Sequence, residues 1–208
     1  MKIISIIDDT VFEYFKTYGV GSPTYVGNWA DVLPTNLSDR LELFDWNKLP
    51  IRNFSSINPL AVDHPLYNDL IDLSHFSHYK TIDHCQWRIV SLTDFELDLT
   101  ALNNKIEETF THYKIWVTRI DPGCCIPQHL DSTNDFVDKF QIDPINFKHI
   151  KRVMILPHDV QPWHHLWYGN EIISKGTRGD TWSLNFWEPH GGSNLGPIPK
   201  YTLQVMGI

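Results

Sequence analysis

His129, Asp131 and His190 are the residues whose types and spacing point most directly to chemistry. In extended chain, residues two apart project to the same face, so an imidazole and a carboxylate can reach one ion while Leu130 points away. His190 follows Asp131 by 59 positions (190 − 131). That separation has room for three to four short strands, enough to wind round a barrel and bring a third ligand from the opposite side. Two imidazole nitrogens and one carboxylate oxygen on one face of an octahedron leave three positions open, a donor set that suits non-haem Fe(II). Zinc fits this ligand order less naturally. A His-x-Asp tripeptide is common by chance, so its weight comes from its setting. It follows Arg119-Ile-Asp-Pro-Gly123 and Ile126-Pro127-Gln128, a strand–turn–strand approach, and His190 closes a strand ahead of Gly191-Gly192.

The elements that would position these residues are short and turn-rich. Tyr113–Ile120 carries Tyr, Ile, Trp, Val and Thr, which suit a pleated, half-buried surface, and Asp121-Pro-Gly123 ends it as a turn. Arg152–Leu156 reads as a strand closed by Pro157. Trp163–Tyr168 and Glu171–Ser174 flank Gly169-Asn170, a two-residue hairpin loop. Lys175–Asp180 reads as a turn, Thr181–Trp187 as a strand, Pro189–Gly192 as a turn and Lys200–Met206 as the last strand. In the first half, Ile3–Ile7 is a candidate edge strand, Val11–Tyr18 a short helix and Cys85–Ser91 a strand. Thr93-Asp-Phe-Glu96 has the form of a capping box. Phe95, Leu99, Leu102, Ile106 and Phe110 then form one apolar stripe on a helix of about 18 residues, suited to covering a sheet. The pattern predicts a β-rich α+β fold in one domain, with a sandwich or barrel behind the helix.

Composition narrows the function classes. The chain has 208 residues, 42% hydrophobic and 20% charged, enough to bury a core. Its formal charge of −8 argues against nucleic acid or an anionic membrane as the main partner, since both demand a basic face. Ile3–Ile7 is far too short to span a bilayer or form a signal-peptide core. The three cysteines, Cys85, Cys124 and Cys125, form no disulfide framework and no CxxC pair; they read as packing residues in a reducing, cytoplasmic compartment. Trp182 and Trp187 read as core. Asp180 reads as a turn residue, and Asn194 and Arg178 are candidates for a pocket mouth. Of His164 and His165, neighbours on a strand, only one can face a pocket, so they cannot chelate together.

The segment from about Trp116 to Met206 resembles the double-stranded β-helix (jelly-roll, cupin-like) core of the 2-oxoglutarate/Fe(II)-dependent oxygenases. The matching features are Asp121-Pro-Gly123, His129-Leu-Asp131, Lys151–Pro157, Gly179-Asp-Thr-Trp182, Pro189-His190 and Lys200-Tyr-Thr202. Within that superfamily it is most similar to the aspartyl/asparaginyl β-hydroxylase-like and other small hydroxylases. The resemblance implies a core at 113–208 behind an N-terminal extension with its covering helix at 1–112. It also implies Fe(II) on His129, Asp131 and His190 as the catalytic centre, 2-oxoglutarate as cosubstrate, and dioxygen plus a small molecule or peptide as substrates. A basic residue about ten positions after the distal histidine pairs with the far carboxylate of 2-oxoglutarate in this superfamily. Lys200 and Thr202 stand there, and Arg152 is the alternative anchor. Lysine offers a point charge where arginine would grip with two parallel hydrogen bonds. Two other functions compete: a cupin-like metalloprotein, such as an isomerase or different dioxygenase, that gives Lys200 no role, and a non-catalytic β-barrel binding module.

Overall fold

The computed structural model describes residues 9–53, 85–131 and 133–208. Among the described residues, eleven strands form two antiparallel sheets: β1 (Thr24–Asn28), β2 (Arg52–Asn53), β3 (Gln86–Ser91), β4 (Tyr113–Ile120), β5 (Cys125–His129), β6 (Lys151–Ile155), β7 (His164–Tyr168), β8 (Glu171–Ile173), β9 (Asp180–Asn185), β10 (His190–Asn194) and β11 (Lys200–Gly207). The large sheet runs β1-β9-β6-β11-β4-β3-β2 and the small one β5-β10-β7-β8. From β4 onward the chain crosses between sheets after each strand or hairpin: β4 large, β5 small, β6 large, β7-β8 small, β9 large, β10 small, β11 large. That winding is a double-stranded β-helix, the cupin-type jelly roll. The fold is β-rich with a few covering helices, as the sequence pattern predicts. β1 and β3, from the first 112 residues, extend the large sheet by pairing with β9 and β4.

The period-2 alternation of β11 explains its place at the centre of the large sheet. Tyr201, Leu203 and Val205 pack outward with Val117, Val153 and Ile155 against a helical layer. Thr202 and Gln204 face the space between the sheets. The helical layer holds α2 (Leu37–Leu43) and α3 (Thr100–Glu107), whose Leu37, Leu41, Leu102 and Ile106 are all buried. Its cluster of Trp46, Phe44 and Phe95 stacks on Tyr201 through Trp46.

Several sequence expectations shift. The single helix of about 18 residues is two pieces: a 3-10 turn at Leu92–Phe95, then α3. Glu96 between them takes a left-handed φ of 51°, which breaks the helix. Thr93 Oγ1 is bonded to Ser91 Oγ (2.7 Å), so no capping box forms. Phe95, Leu102, Ile106 and Phe110 nevertheless share one buried cluster, because the stripe satisfies the sheet below with or without a continuous helix. Pro189–Gly192 is not a turn; His190 opens β10, which pairs with both β5 and β7. Between Asp131 and β6 lie α4 (Asn134–Phe140) and a 3-10 turn at Pro144–His149 that the strand pattern did not anticipate. Val11–Tyr18 falls within α1 (Asp9–Tyr18). Ile3–Ile7 lies outside the described residues.

Candidate metal centre

The site grows from two strand ends in the small sheet. His129 closes β5 and His190 opens β10, and the two are paired directly across the ladder. Their rings sit 4.5 Å apart, centroid to centroid. Asp131 lies two residues past the end of β5, held there by Leu130, which is fully buried beside Phe136 and Ile150. The carboxylate comes back over the histidines: Asp131 Oδ1 is 3.2 Å from His129 Nε2, and Oδ2 is 3.4 Å from His190 Nε2. An ion with bonds of about 2.1 Å places neighbouring octahedral donors about 3 Å apart, so this spacing fits a divalent metal. All three donor atoms lie within 4.8 Å of one another.

The outer contacts also fit. His190 Nδ1 donates to the Glu188 carbonyl at 3.0 Å, which fixes the tautomer and turns the Nε2 lone pair toward Asp131. Burial, and after it the charge of Arg152 and the proximity of His129, hold the His190 imidazole well below its ordinary pKa, in the neutral form that binds metal.

A buried arginine shares these donors. Arg152 on β6 donates through Nη1 to His190 Nε2 (2.6 Å) and pairs with Asp131 through the same nitrogen. Gln204 Oε1 accepts from Arg152 Nε at 2.8 Å and from Nη2, while Gln204 Nε2 donates to Thr118 Oγ1 (3.0 Å) and Thr202 Oγ1 (3.2 Å). The guanidinium also lies over the Trp116 ring, 5.2 Å from its centroid. Burial lowers the Arg152 pKa to about 10, which still leaves it charged at neutral pH. His190 Nε2 has a single lone pair, so an ion on the three donors must displace Arg152 from that nitrogen, while an Asp131 oxygen can serve both.

The donors open into a cavity of about 170 Å³. One wall is polar: Arg152, Thr118, Thr202 and Gln204 from the large sheet. Apolar side chains come from both sheets: Ile126 and Leu166 from the small one, Trp87, Ile89 and Ile120 from the large one. Arg52 also lines it.

Lys200 is on the same strand face but does not line this cavity. Its buried ammonium donates to the backbone carbonyl of His165, in space left by Gly192, where a Cβ would stand 2.6 Å from Nζ. Burial pushes its pKa down to about 7. Thr202 and Arg152 do line the cavity. His164 is buried with Nε2 3.4 Å from the Ile198 carbonyl, and His165 sits near Ser193 Oγ at 3.4 Å; neither joins the metal donors. Trp187 is buried, and Trp182 packs partly buried against Leu184 and Met154. Asp180 organises its turn, accepting from Tyr25 and Asn28. Asn194 and Arg178 are structural rather than pocket-lining: Asn194 caps the Ile120 and Ile198 carbonyls, and Arg178 binds those of Ala30, Leu33 and Pro34. Gln204 was missed, although its register with Lys200 and Thr202 places it on the same face.

A cupin-type double-stranded β-helix carrying a His/Asp/His group able to hold a metal is the class that fold and site define. No family model and no curated protein matches the chain. Solved structures similar to it include a predicted oxalate decarboxylase from Thermotoga maritima, at 12% identity over 59% of this chain and 81% of that one, TM-score 0.35. A sugar phosphate isomerase of the cupin superfamily from Silicibacter pomeroyi is 12% identical over 79% of this chain and 74% of that one, TM-score 0.36. The Cupin_2 domain of an XRE family transcriptional regulator from Enterobacter cloacae is 9% identical over 59% and 96%, TM-score 0.36. Among the described residues, no helix is long and apolar enough to cross a membrane.

Proposed function

We propose that the chain is a metal-dependent enzyme of the cupin kind acting on a small carboxylate, with His129, Asp131 and His190 as ligands and Arg152 as the anion-binding group. The observation that carries this reading is the placement of a buried, charged guanidinium in the same small cavity as the three donors. A divalent ion such as Fe(II), when bound, supplies Lewis acidity and, for a redox metal, electron transfer to substrates on its open positions. The protein's own groups do the rest. Arg152, aligned by Gln204 and Trp116, meets the carboxylate with a planar fork of donors. Thr202 adds a hydroxyl on the same wall, and Ile126 and Leu166 exclude water opposite. The test is a carboxylate panel titrated into the metal-loaded protein, followed by Trp fluorescence. Saturable binding that Arg152→Gln abolishes supports the reading; binding that is indifferent to Arg152 overturns it.

A second reading makes the carboxylate 2-oxoglutarate and the reaction a dioxygen-dependent hydroxylation of an amino acid, peptide or other small molecule. Thr202 and Arg152 lining the metal-donor cavity favour it, with Arg152 rather than Lys200 as anchor. Succinate formation from 2-oxoglutarate with Fe(II), over a panel of such substrates, decides between the two. Absence of turnover with retained metal binding leaves the first reading.

A further inference from the structure

Cys85 and Cys125 come from opposite sheets, yet their sulfurs stand 3.7 Å apart. Cys85 is buried immediately before β3, and Cys125 is the half-exposed first residue of β5. We propose that this pair is a modification site: a dithiol that closes to an intramolecular disulfide under peroxide and clasps the two sheets beside the cavity. The bond length of a disulfide is about 2.05 Å, so closure needs an approach of under roughly 2 Å from the 3.7 Å separation. The bond would fasten the strand that carries Trp87, two residues past Cys85, to the strand that carries Ile126, the residue after Cys125. Both side chains line the cavity. His129 lies four positions past Cys125 on the same strand, so the clasp tethers a metal-ligand strand.

The two thiols are not equivalent. The contact between the two sulfurs, in which either can donate, draws the Cys125 pKa below its ordinary value, while the same contact and burial push Cys85 up. Cys125 is also the more exposed, so it is the attacking sulfur. Its thiolate attacks one peroxide oxygen; the O–O bond breaks, giving a sulfenic acid at Cys125 and, after protonation, water. Cys85 sulfur then attacks the Cys125 sulfur; the S–O bond breaks, the S–S bond forms, and a second water leaves. Two thiols lose two electrons and one hydrogen peroxide becomes two waters.

Neighbouring Cys124 supplies the internal control. It is buried with Trp87, Ile120 and Ile126. The experiment treats purified protein with hydrogen peroxide in chelator-containing buffer, then counts free thiols after unfolding and sequences the non-reduced peptides. The proposal expects thiols to fall from three to one, a mass loss of about 2 Da, one Cys85–Cys125 linked peptide, and reversal by dithiothreitol. Cys124→Ser should form the same link, and Cys125→Ser should form none. Three surviving thiols, a link through Cys124, or Cys125 stopping at sulfinic acid would each overturn it. The peptide analysis of the unmodified sequence decides even if a serine variant fails to fold.

Discussion

Arg152 and a metal ion need the same atoms, and that competition gives the most specific expectation at the scale of single residues. The guanidinium engages His190 Nε2 and Asp131, two of the three donors. Arg152→Gln removes a positive charge beside the ion and frees both donors. Metal affinity should tighten at least about tenfold, ~1.4 kcal/mol. Carboxylate affinity should fall at least about thirtyfold, because truncating one partner of a buried charge pair costs about 2–5 kcal/mol. Isothermal titration with Mn(II), then with the carboxylate, measures both; a variant that loses metal would show that Arg152 supports the ion instead. Lys200 invites the opposite kind of test. Its pKa lies near 7 through burial, against about 10.4 in the unfolded chain. The unfolded state therefore binds the proton more tightly, and stability falls as pH drops from about 10.4 toward 7. Lys200→Met should raise the melting temperature at pH 7 by several degrees, since each kcal/mol is worth about 2–4 °C in a chain of this size. A lowered melting temperature would mean that the bond to the His165 carbonyl outweighs the buried charge.

At the scale of elements, β5 and β10 make the site because each ends or begins on a histidine in direct register. His-x-Asp was readable because period-2 projection is local geometry, and Leu130 points away from the donors as expected, packing with Phe136 and Ile150 instead of lining the cavity. The strands β4, β6, β7 and β11 were readable from β-branched and aromatic runs bounded by Pro and Gly. What sequence did not disclose depends on tertiary contact. The stripe Phe95–Phe110 has helical spacing, but the chain satisfies it with a left-handed break at Glu96. Pro189–Gly192 has turn composition, but pairing on both sides draws His190–Asn194 into a strand. The partnership of Gln204 with Arg152, 52 positions apart, has no sequence signature. On β7, buried His164 has a pKa lowered to about 4, with burial the largest cause. The unfolded histidine titrates near 6.5, so the unfolded state binds more protons between the two values and stability falls as pH drops from about 6.5 to about 4. His164→Asn should flatten that decline in melting temperature recorded by circular dichroism. A slope unchanged from the parent would exclude His164 as its source.

At the scale of the molecule, two sheets meet around a cavity that sets a buried guanidinium among apolar side chains and the metal donors. The net charge of −8 lies outside that cavity's chemistry and makes no general anion attractor of the surface. A small anion is selected by the buried guanidinium rather than by the protein's overall field. Because a ligand that binds only the folded state stabilises it by RT ln(1 + [L]/Kd), a metal at 100 times its Kd contributes about 2.7 kcal/mol. The most direct test of the account is Mn(II) binding by titration calorimetry, with melting temperature as a parallel readout, across the parent, His129→Ala, His190→Ala, His164→Ala and His165→Ala. The account predicts one ion per chain and a raised melting temperature in the parent and in both β7 variants, with each lost in His129→Ala and His190→Ala. Stoichiometric metal retained by His129→Ala and His190→Ala, or lost from His164→Ala or His165→Ala, would contradict it.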